Sequence, residues 1–182
     1  MTTQLLATTS SPARSISELQ ERLSGYVILP DDERYQSARD LRGFVNTRFP
    51  SLIVRAASAE DVAEAVRFAR VHGLPFSVRG GGHSIAGYTL LDGAVAIDMT
   101  EMTGVTIDPD RQTARVQGGA KSRDLALPAH EHGLALSTGD TGSVGLGGLV
   151  TGGGIGFFVR KYGLAADRLL SARVVTADGE IV

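Results

Sequence analysis

Apolar residues recur at regular intervals after residue 50, and their spacing alternates between that of strands and that of helices. Residues 52–56 form a short apolar run that predicts a strand. Ser58 is a good helix N-cap with Asp61 at the N3 position, and Gly73 is a stop signal. Between them, apolar residues follow helical spacing at Val62, Ala65, Val66 and Ala69. Residues 74–78 predict a second strand, so this stretch predicts a βαβ unit with parallel strands.

Shorter elements follow. Residues 94–98 predict another strand, and residues 105–107 and 113–116 flank a turn sequence, which predicts a hairpin. Residues 122–132 predict a helix that ends at Gly133, with Pro128 expected to kink it or delay its start.

The end of the sequence predicts two further strand regions. Residues 134–136 predict a short strand. Residues 169–176 and 181–182 flank Asp178-Gly179, a strong hairpin signal. The second strand of this hairpin begins where the sequence stops, so we expect the chain to be truncated or to be a fragment of something longer.

The pattern before residue 50 is weaker. Residues 1–14 are expected to be disordered, and residues 17–23 predict a short helix capped by Ser17, with Leu19 and Leu23 on one face. The charged and aromatic segment 30–46 has no clear period and is interpreted as an arm or loop. We therefore expect an N-terminal arm with a short helix over residues 1–45 and one folded domain over residues 46–182.

Composition narrows the classes of function. The 182 residues are 42% hydrophobic and 21% charged, which is typical of a globular protein, and the net charge of −2 provides no basic field for nucleic acid or an anionic membrane. The absence of cysteine excludes disulfides, thiolate metal sites and cysteine nucleophiles. No signal peptide or membrane span is visible, so a cytoplasmic location is the expectation.

Glycine is concentrated in one tract. The chain has 23 glycines, and nine of the 18 residues from 139 to 156 are glycine. A flexible linker is the alternative, but apolar residues are interleaved with these glycines, which a solvated linker would not carry. The tract therefore indicates close approach of the backbone to another group, or positive φ angles.

A second glycine segment, residues 78–84, directly follows a predicted strand. Its three successive glycines expose backbone N–H groups that can form a concave site for a pyrophosphate, and Ser84 could add a hydroxyl donor. His83 lies at the end of this cradle, and a neutral imidazole nitrogen is a competent nucleophile. The alternative is a histidine that only caps a turn; its placement after three glycines favours the nucleophile.

Other site motifs are absent from the sequence. There is no GxGxxG for a Rossmann nicotinamide site and no GxxxxGK for a P-loop. Residues 141–145 have threonine where the first glycine of a GxSxG nucleophile elbow belongs. His130-Glu131-His132 is not HExxH, and no metal site is predicted.

Taken together, the motifs RGGGHS (79–84), GGGIGFFVRKYGLAAD (152–167) and VVTADGEIV (174–182) resemble the FAD-linked oxidases of the vanillyl-alcohol oxidase superfamily. The berberine bridge enzyme-like branch is the most similar, and the resemblance covers residues 46–182. It implies an α+β fold of the PCMH type, with a small parallel βαβ subdomain, a larger mixed or antiparallel one, and FAD between them. It also implies that only the N-terminal FAD-binding portion is present.

The resemblance implies a cofactor site made mostly of backbone. The first glycine segment would bind the pyrophosphate, His83 would bond to the 8α-methyl of the flavin, and the second tract would run beside the isoalloxazine and phosphates. The backbone of Val182 would contact adenine. The implied cofactor-binding residues are Arg79, Gly80, Gly81, Gly82, His83, Ser84, Gly139, Asp140, Thr141, Ser143, Val144, Gly145, Gly148, Gly152, Gly154, Gly156 and Val182.

This sequence departs from the family pattern at several positions. Thr141 replaces the cysteine that forms a second flavin bond in bicovalent members, and Leu149 replaces a frequent histidine. Val144 falls where the family places a side chain near the oxygen-reactive face of the flavin, and a small residue there favours oxidase over dehydrogenase chemistry. The resemblance implies that the substrate pocket and the catalytic base of the family lie outside the portion that this chain matches.

The expected function is oxidation of an alcohol, sugar or amine, with a hydride passing to flavin N5 and electrons then passing to dioxygen. The expected partners are FAD, a small-molecule substrate and oxygen, with no nucleic acid or membrane. Two alternatives stay open: a non-catalytic FAD- or nucleotide-binding fragment, and a MurB-like reductase with non-covalent FAD.

Overall fold

The computed structural model describes residues 12–41 and 47–182. Six strands, six α-helices and a 3₁₀ turn are formed within these ranges. The strands are β1 Tyr26–Ile28, β2 Leu52–Arg55, β3 Phe76–Arg79, β4 Val95–Asp98, β5 Val105–Asp108 and β6 Thr113–Val116. The helices are α1 Pro12–Arg22, α2 Tyr35–Ala38, α3 Ala59–Val71, α4 Ser122–Glu131, α5 Leu146–Thr151 and α6 Val159–Tyr162, and the 3₁₀ turn is Ala166–Arg168.

The main sheet has four strands in the order β1-β2-β4-β3. β2 and β3 both run parallel to β4, as the predicted βαβ unit requires, but β4 lies between them. β4 is buried along its whole length, because its neighbours cover both edges and other elements cover both faces. The predicted α+β fold with a parallel βαβ unit is confirmed.

The two faces of this sheet enter different cores because successive side chains of a strand point to opposite sides. Leu52 and Val54 of β2 pack with α3, α1 and Ile97 on one face. Ile53 and Ala96 pack on the other face with a second set of residues, namely Ile28, Tyr35, Ala38, Leu41 and Leu90. The Tyr35 hydroxyl donates to the carbonyl of Pro50 at 2.7 Å, which satisfies its polar group within this core.

Helix α3 begins and ends as the sequence predicts. The hydroxyl of Ser58 accepts the N–H of Asp61 at 3.1 Å. At the other end Gly73 has φ of 61°, and the N–H of Leu74 donates to the carbonyl of Ala69. This is the Schellman arrangement, which needs a left-handed residue after the helix and therefore favours glycine.

Residues 12–41 are more ordered than predicted, while residues 1–11 of the segment expected to be disordered lie outside the described residues. α1 begins at Pro12, so residues 12–14 are helical rather than disordered, and Ser17 lies inside the helix instead of capping it. The predicted arm or loop contains the short helix α2, and residues 42–46 of it lie outside the described residues. The strand β1 pairs antiparallel with β2. The proposed boundary at residue 46 stays a prediction.

The second half of the chain builds a smaller core around Ala120, Leu125 and Leu146. The predicted hairpin is confirmed as the antiparallel pair β5–β6, in which Val105 pairs with Val116 and Asp108 with Thr113. α4 contains Pro128 near its C-terminal end, and neither its start nor its end is displaced by more than a residue from the prediction.

Two strand predictions in this half need correction. Residues 134–136 form no strand; Leu134 instead closes the C-terminal cap of α4 by donating to the carbonyl of Ala129. The final hairpin is reduced to a single antiparallel bridge, Val175↔Ile181, closed through Gly179 at φ of 76°. Residues 169–173 do not extend it, because they have no strand partner within the described residues.

Candidate functional site

The carboxyl end of the parallel sheet carries three charged residues in register. Asp98 of β4 is the register partner of both Arg55 and Arg79. Its carboxylate lies 3.2 Å from the Arg55 guanidinium and 3.7 Å from that of Arg79, and its side chain is 1% exposed. Two cations therefore surround one buried anion at the point where β3 leads into the first glycine segment.

The side chain of Arg79 turns away from the glycine segment. Its guanidinium donates to the carbonyls of Ala38 and Asp40, and so ties β3 to the segment after α2. Burial lowers the pKa of Arg79 against the opposing effect of Asp98, but an arginine pKa starts high enough for the group to stay charged. A contact of Arg79 with a cofactor would therefore use its backbone.

The glycine segment leaves a run of backbone donors unpaired. Within the described residues, the N–H groups of Gly81, Gly82, His83 and Ser84 donate to no protein acceptor. Gly82 has φ of 72°, which turns the chain sharply at this point. Adjacent N–H groups on such a turn form a concave anion site, as the sequence predicts.

The two glycine tracts meet at their backbones. A β-carbon on Gly81 would lie 2.3 Å from the nitrogen of Gly145, and a β-carbon on Gly145 would lie 2.3 Å from the nitrogen of Gly81. Real side chains do not approach backbone this closely, so both positions require glycine. Gly145 also precedes the six-residue helix α5.

A further glycine segment, Gly118-Gly119, contacts the junction of the two glycine tracts. It was not predicted as part of the site. A β-carbon on Gly147 would lie 2.8 Å from the Gly118 carbonyl oxygen, and one on Gly80 would lie 3.4 Å from it. The available signal was a glycine pair one residue after the end of β6, which ends at Val116.

The side chain of His83 faces the second tract. Its Nε2 atom lies 3.1 Å from the hydroxyl oxygen of Ser143, and both side chains are half-buried. Of the predicted site residues, these two are joined side chain to side chain across 60 positions of sequence. The imidazole is thus held at the junction of the glycine tracts.

Other predicted residues of the second tract pack against one another. Gly139 and Gly156 are in backbone contact, since a β-carbon on Gly156 would lie 2.6 Å from the Gly139 oxygen. A β-carbon on Gly154 would lie 2.6 Å from the β-carbon of Ala165. The remaining members lie on the surface or in the loop: Asp140, Thr141, Val144 and Gly152.

Val182 uses its backbone within the final hairpin. Its N–H donates to the carbonyl of Val174, and its carbonyl accepts the N–H of Val174. Because a carbonyl oxygen has a second lone pair, a backbone contact with adenine would have to use that oxygen.

Gly148 tests whether these residues fit a bound group. Apart from the neighbouring backbone of α5, a β-carbon on Gly148 would meet no atom of the described residues within 4 Å, in contrast to Gly81 and Gly145. The protein's own packing therefore does not require glycine there, while the free N–H groups and the open space together suit a dinucleotide that carries a diphosphate.

Two other features are absent from the described ranges. No cluster of three or more metal-ligating side chains occurs in residues 12–41 and 47–182. No helix within those ranges is both long and apolar enough to cross a membrane.

Comparison with known proteins identifies the family of this chain. Residues 50–182 match the family described as FAD binding domain. The chain is 42% identical over 160 residues to (R)-6-hydroxynicotine oxidase of Paenarthrobacter nicotinovorans, covering 88% of this chain and 35% of that protein. This chain therefore spans about a third of the length of that relative.

Solved structures extend the comparison. BBE-like 1 of Physcomitrella patens has a TM-score of 0.86 and 29% identity, covering 92% of this chain and 37% of that one. Glucooligosaccharide oxidase of Acremonium strictum, whose FAD is described as 6-S-cysteinyl, 8α-N1-histidyl, has a TM-score of 0.82 and 34% identity over 92% and 36% of the two chains. The chain belongs to the FAD-binding domain family of the vanillyl-alcohol oxidase and PCMH-type flavoproteins, within its berberine bridge enzyme-like group.

Proposed function

We propose that this chain is the flavin-binding part of an oxidase that holds FAD through a covalent bond to His83. The observation that carries the proposal is the run of N–H groups from Gly81 to Ser84, which find no acceptor among the described residues, together with the imidazole of His83 in the same run. The N–H groups suit the diphosphate, and the imidazole suits attachment to the flavin ring. When bound, the flavin takes a hydride from a substrate carbon and passes electrons to dioxygen.

Different residues of the chain would hold different parts of the cofactor. The first glycine segment would bind the diphosphate through backbone N–H groups, and the open surface beside Gly148 would admit the cofactor. Val144 would lie near the oxygen-reactive face of the flavin. The glycine contacts Gly81–Gly145 and Gly139–Gly156 would keep these surfaces in place, which is the pre-organisation that a binding site needs.

Thr141 bears on the type of linkage. The relative from Acremonium strictum is described with both a cysteinyl and a histidyl bond to its flavin. This chain has no cysteine, so only the histidyl bond is chemically available to its own residues. The expected substrate is an alcohol, a sugar or an amine, and the base that would accept its proton is not assigned to any residue of this chain.

Acid precipitation tests the proposal. Purified protein is precipitated with acid, and the flavin absorbance of pellet and supernatant is compared. We expect flavin in the pellet for the wild type and in the supernatant for His83→Ala, with some FAD still bound before precipitation. His72→Ala, which removes an exposed histidine outside the site, is the matched control and should behave like the wild type.

The outcomes separate the alternatives. Flavin released from the wild type by acid would indicate non-covalent binding, as in a MurB-like reductase. A protein that takes up no FAD when the cofactor is supplied would contradict the proposed site altogether. Reduction of the bound flavin by a substrate, followed by reoxidation in air, would exclude a non-catalytic module.

A further inference from the structure

The side chain of Ser143 contacts the imidazole of His83, and the proposed bond to the cofactor does not by itself explain this contact. Its hydroxyl oxygen lies 3.1 Å from His83 Nε2. The contact depends on the Gly81–Gly145 backbone approach, because these glycines lie two residues from His83 and from Ser143 respectively. The fold thus brings a hydroxyl from one glycine tract to the imidazole of the other.

This contact matters because it can decide which nitrogen of the neutral imidazole carries the proton. In a neutral imidazole one nitrogen carries a proton and the other a lone pair, and only the lone pair can act as a nucleophile. If Ser143 accepts the Nε2–H, the lone pair is held at Nδ1. If Ser143 instead donates to Nε2, that lone pair is occupied and Nδ1 carries the proton, so neither nitrogen is ready to react.

We propose that Ser143 is a positioning residue for flavin attachment, whose hydroxyl accepts the Nε2–H of His83 and holds the nucleophilic lone pair at Nδ1. This inference rests on the proposed covalent bond and adds to it the residue that prepares the imidazole for reaction. An acceptor that fixes the tautomer of a reactive histidine acts in the same way in acyl transfer.

The attachment step balances with dioxygen as the oxidant. A bond forms between Nδ1 and the 8α carbon, while one C–H bond of that methyl group and the Nε2–H bond break. The carbon is oxidised by two electrons, and the flavin ring takes up these electrons with the two released protons. Dioxygen then reoxidises the ring and becomes hydrogen peroxide. Ser143 lies on the side of the imidazole from which the Nε2 proton leaves.

The test follows the rate of attachment. Apoprotein variants are mixed with FAD in air, and acid-stable flavin is measured over time. We expect Ser143→Ala to attach flavin about tenfold more slowly, the effect of about 1.4 kcal/mol expected from one lost hydrogen bond. Ser143→Thr keeps a hydroxyl and should restore most of the rate. Thr151→Ala removes a hydroxyl that bonds within α5 and should match the wild type.

A second measurement reads the tautomer without any flavin. Nitrogen-15 NMR of the apoprotein should show His83 protonated at Nε2 in the wild type and in Ser143→Thr, and a mixture of tautomers in Ser143→Ala. The His83→Ala spectrum assigns the signal among the four histidines. A merely structural role of Ser143 would leave the tautomer unchanged.

Each outcome has a distinct meaning. Equal or faster attachment in Ser143→Ala, or a wild-type tautomer protonated at Nδ1, overturns the role of Ser143 while leaving the covalent bond intact. Failure of the wild type to form acid-stable flavin overturns the proposed bond, and the role of Ser143 with it. Slower attachment together with an altered tautomer supports the proposal.

Discussion

Gly81 and Gly145 contact each other so closely that a β-carbon on either would lie 2.3 Å from the backbone nitrogen of the other. The obstacle in each case is backbone and not the end of a flexible side chain. The two glycine tracts can therefore come together only while both positions lack a side chain, and the site exists only while the tracts are together.

Gly81→Ala should damage both the fold and the site. The added methyl group forces the two backbones apart, and we expect a loss of roughly 1–3 kcal/mol in the free energy of unfolding, as for other overpacked sites. FAD binding should be lost or weakened strongly. Urea unfolding measures the first effect, and titration of the apoprotein with FAD measures the second. A variant with wild-type affinity for FAD would show that the junction does not shape the site.

Gly148→Ala distinguishes an effect on cofactor binding from an effect on protein packing. Apart from the neighbouring backbone of α5, the new methyl group meets no atom of the described residues within 4 Å, and alanine is favoured over glycine in a helix by up to about 1 kcal/mol. The apoprotein should therefore be as stable as the wild type or more so. We expect FAD to bind at least about tenfold more weakly, because the methyl group enters the proposed cofactor space. Unchanged FAD affinity in this variant would place the cofactor elsewhere.

Asp98→Asn should destabilise the carboxyl end of the main sheet, next to the first glycine segment. The substitution leaves the largely buried Arg79 guanidinium without its anion and leaves Arg55 with only the more exposed Glu101. Breaking a buried pair in this way typically costs about 3–5 kcal/mol. Glu101→Gln is the matched control, because Glu101 also pairs with Arg55 but is 48% exposed. It should change stability by less than about 1 kcal/mol. If both substitutions had equal effects in urea unfolding, Asp98 would not be the stabilising buried anion of this cluster.

Asp61 should contribute a stability term that depends on pH. Burial alone would raise the pKa of this carboxyl, but hydrogen bonds from the N–H groups of Ala57, Ser24 and Gly25 and from Ser58 together hold its pKa below the ordinary value. A carboxyl with a lowered pKa stabilises the fold above its unfolded-state pKa, and this contribution disappears as the pH falls through its folded-state pKa.

Asp61→Asn should therefore reduce the free energy of unfolding at neutral pH by about 1–3 kcal/mol, since it leaves buried N–H donors without an acceptor. The difference from the wild type should shrink as the solution becomes acidic. Urea unfolding over a range of pH measures both effects, with Glu60→Gln, an exposed neighbour in the first turn of α3, as control. A difference in stability between Asp61→Asn and the wild type that grows towards low pH would contradict a lowered pKa for Asp61.

The sequence predicts local features of this fold well, because their causes lie within a few residues. The cap at Ser58 and the stop at Gly73 depend on neighbours close in the chain, and both are confirmed. The strand predicted at residues 134–136 is wrong because Leu134 instead closes the cap of α4, a competing local use of the same residues. Sequence periodicity does not decide between such uses.

Long-range contacts in the candidate site could not be predicted in the same way. The segments of the site are recognisable as glycine tracts, but the contact of His83 with Ser143 joins residues 60 positions apart. The role of Gly118 at the junction likewise depends on the packing of Gly80 and Gly147 against its carbonyl. The aspartate that pairs with Arg79 emerges only from the strand order, because β4 follows β3 in sequence and yet lies between β2 and β3.

Mass spectrometry of the peptide that contains His83 tests the central claim most directly. Holoprotein is denatured in acid and digested with trypsin, and the peptide 80–111 is examined. The account predicts a peptide heavier by FAD less the hydrogens lost on forming the bond, with fragments that locate the addition at His83. A peptide of unmodified mass, recovered together with free FAD, would contradict it.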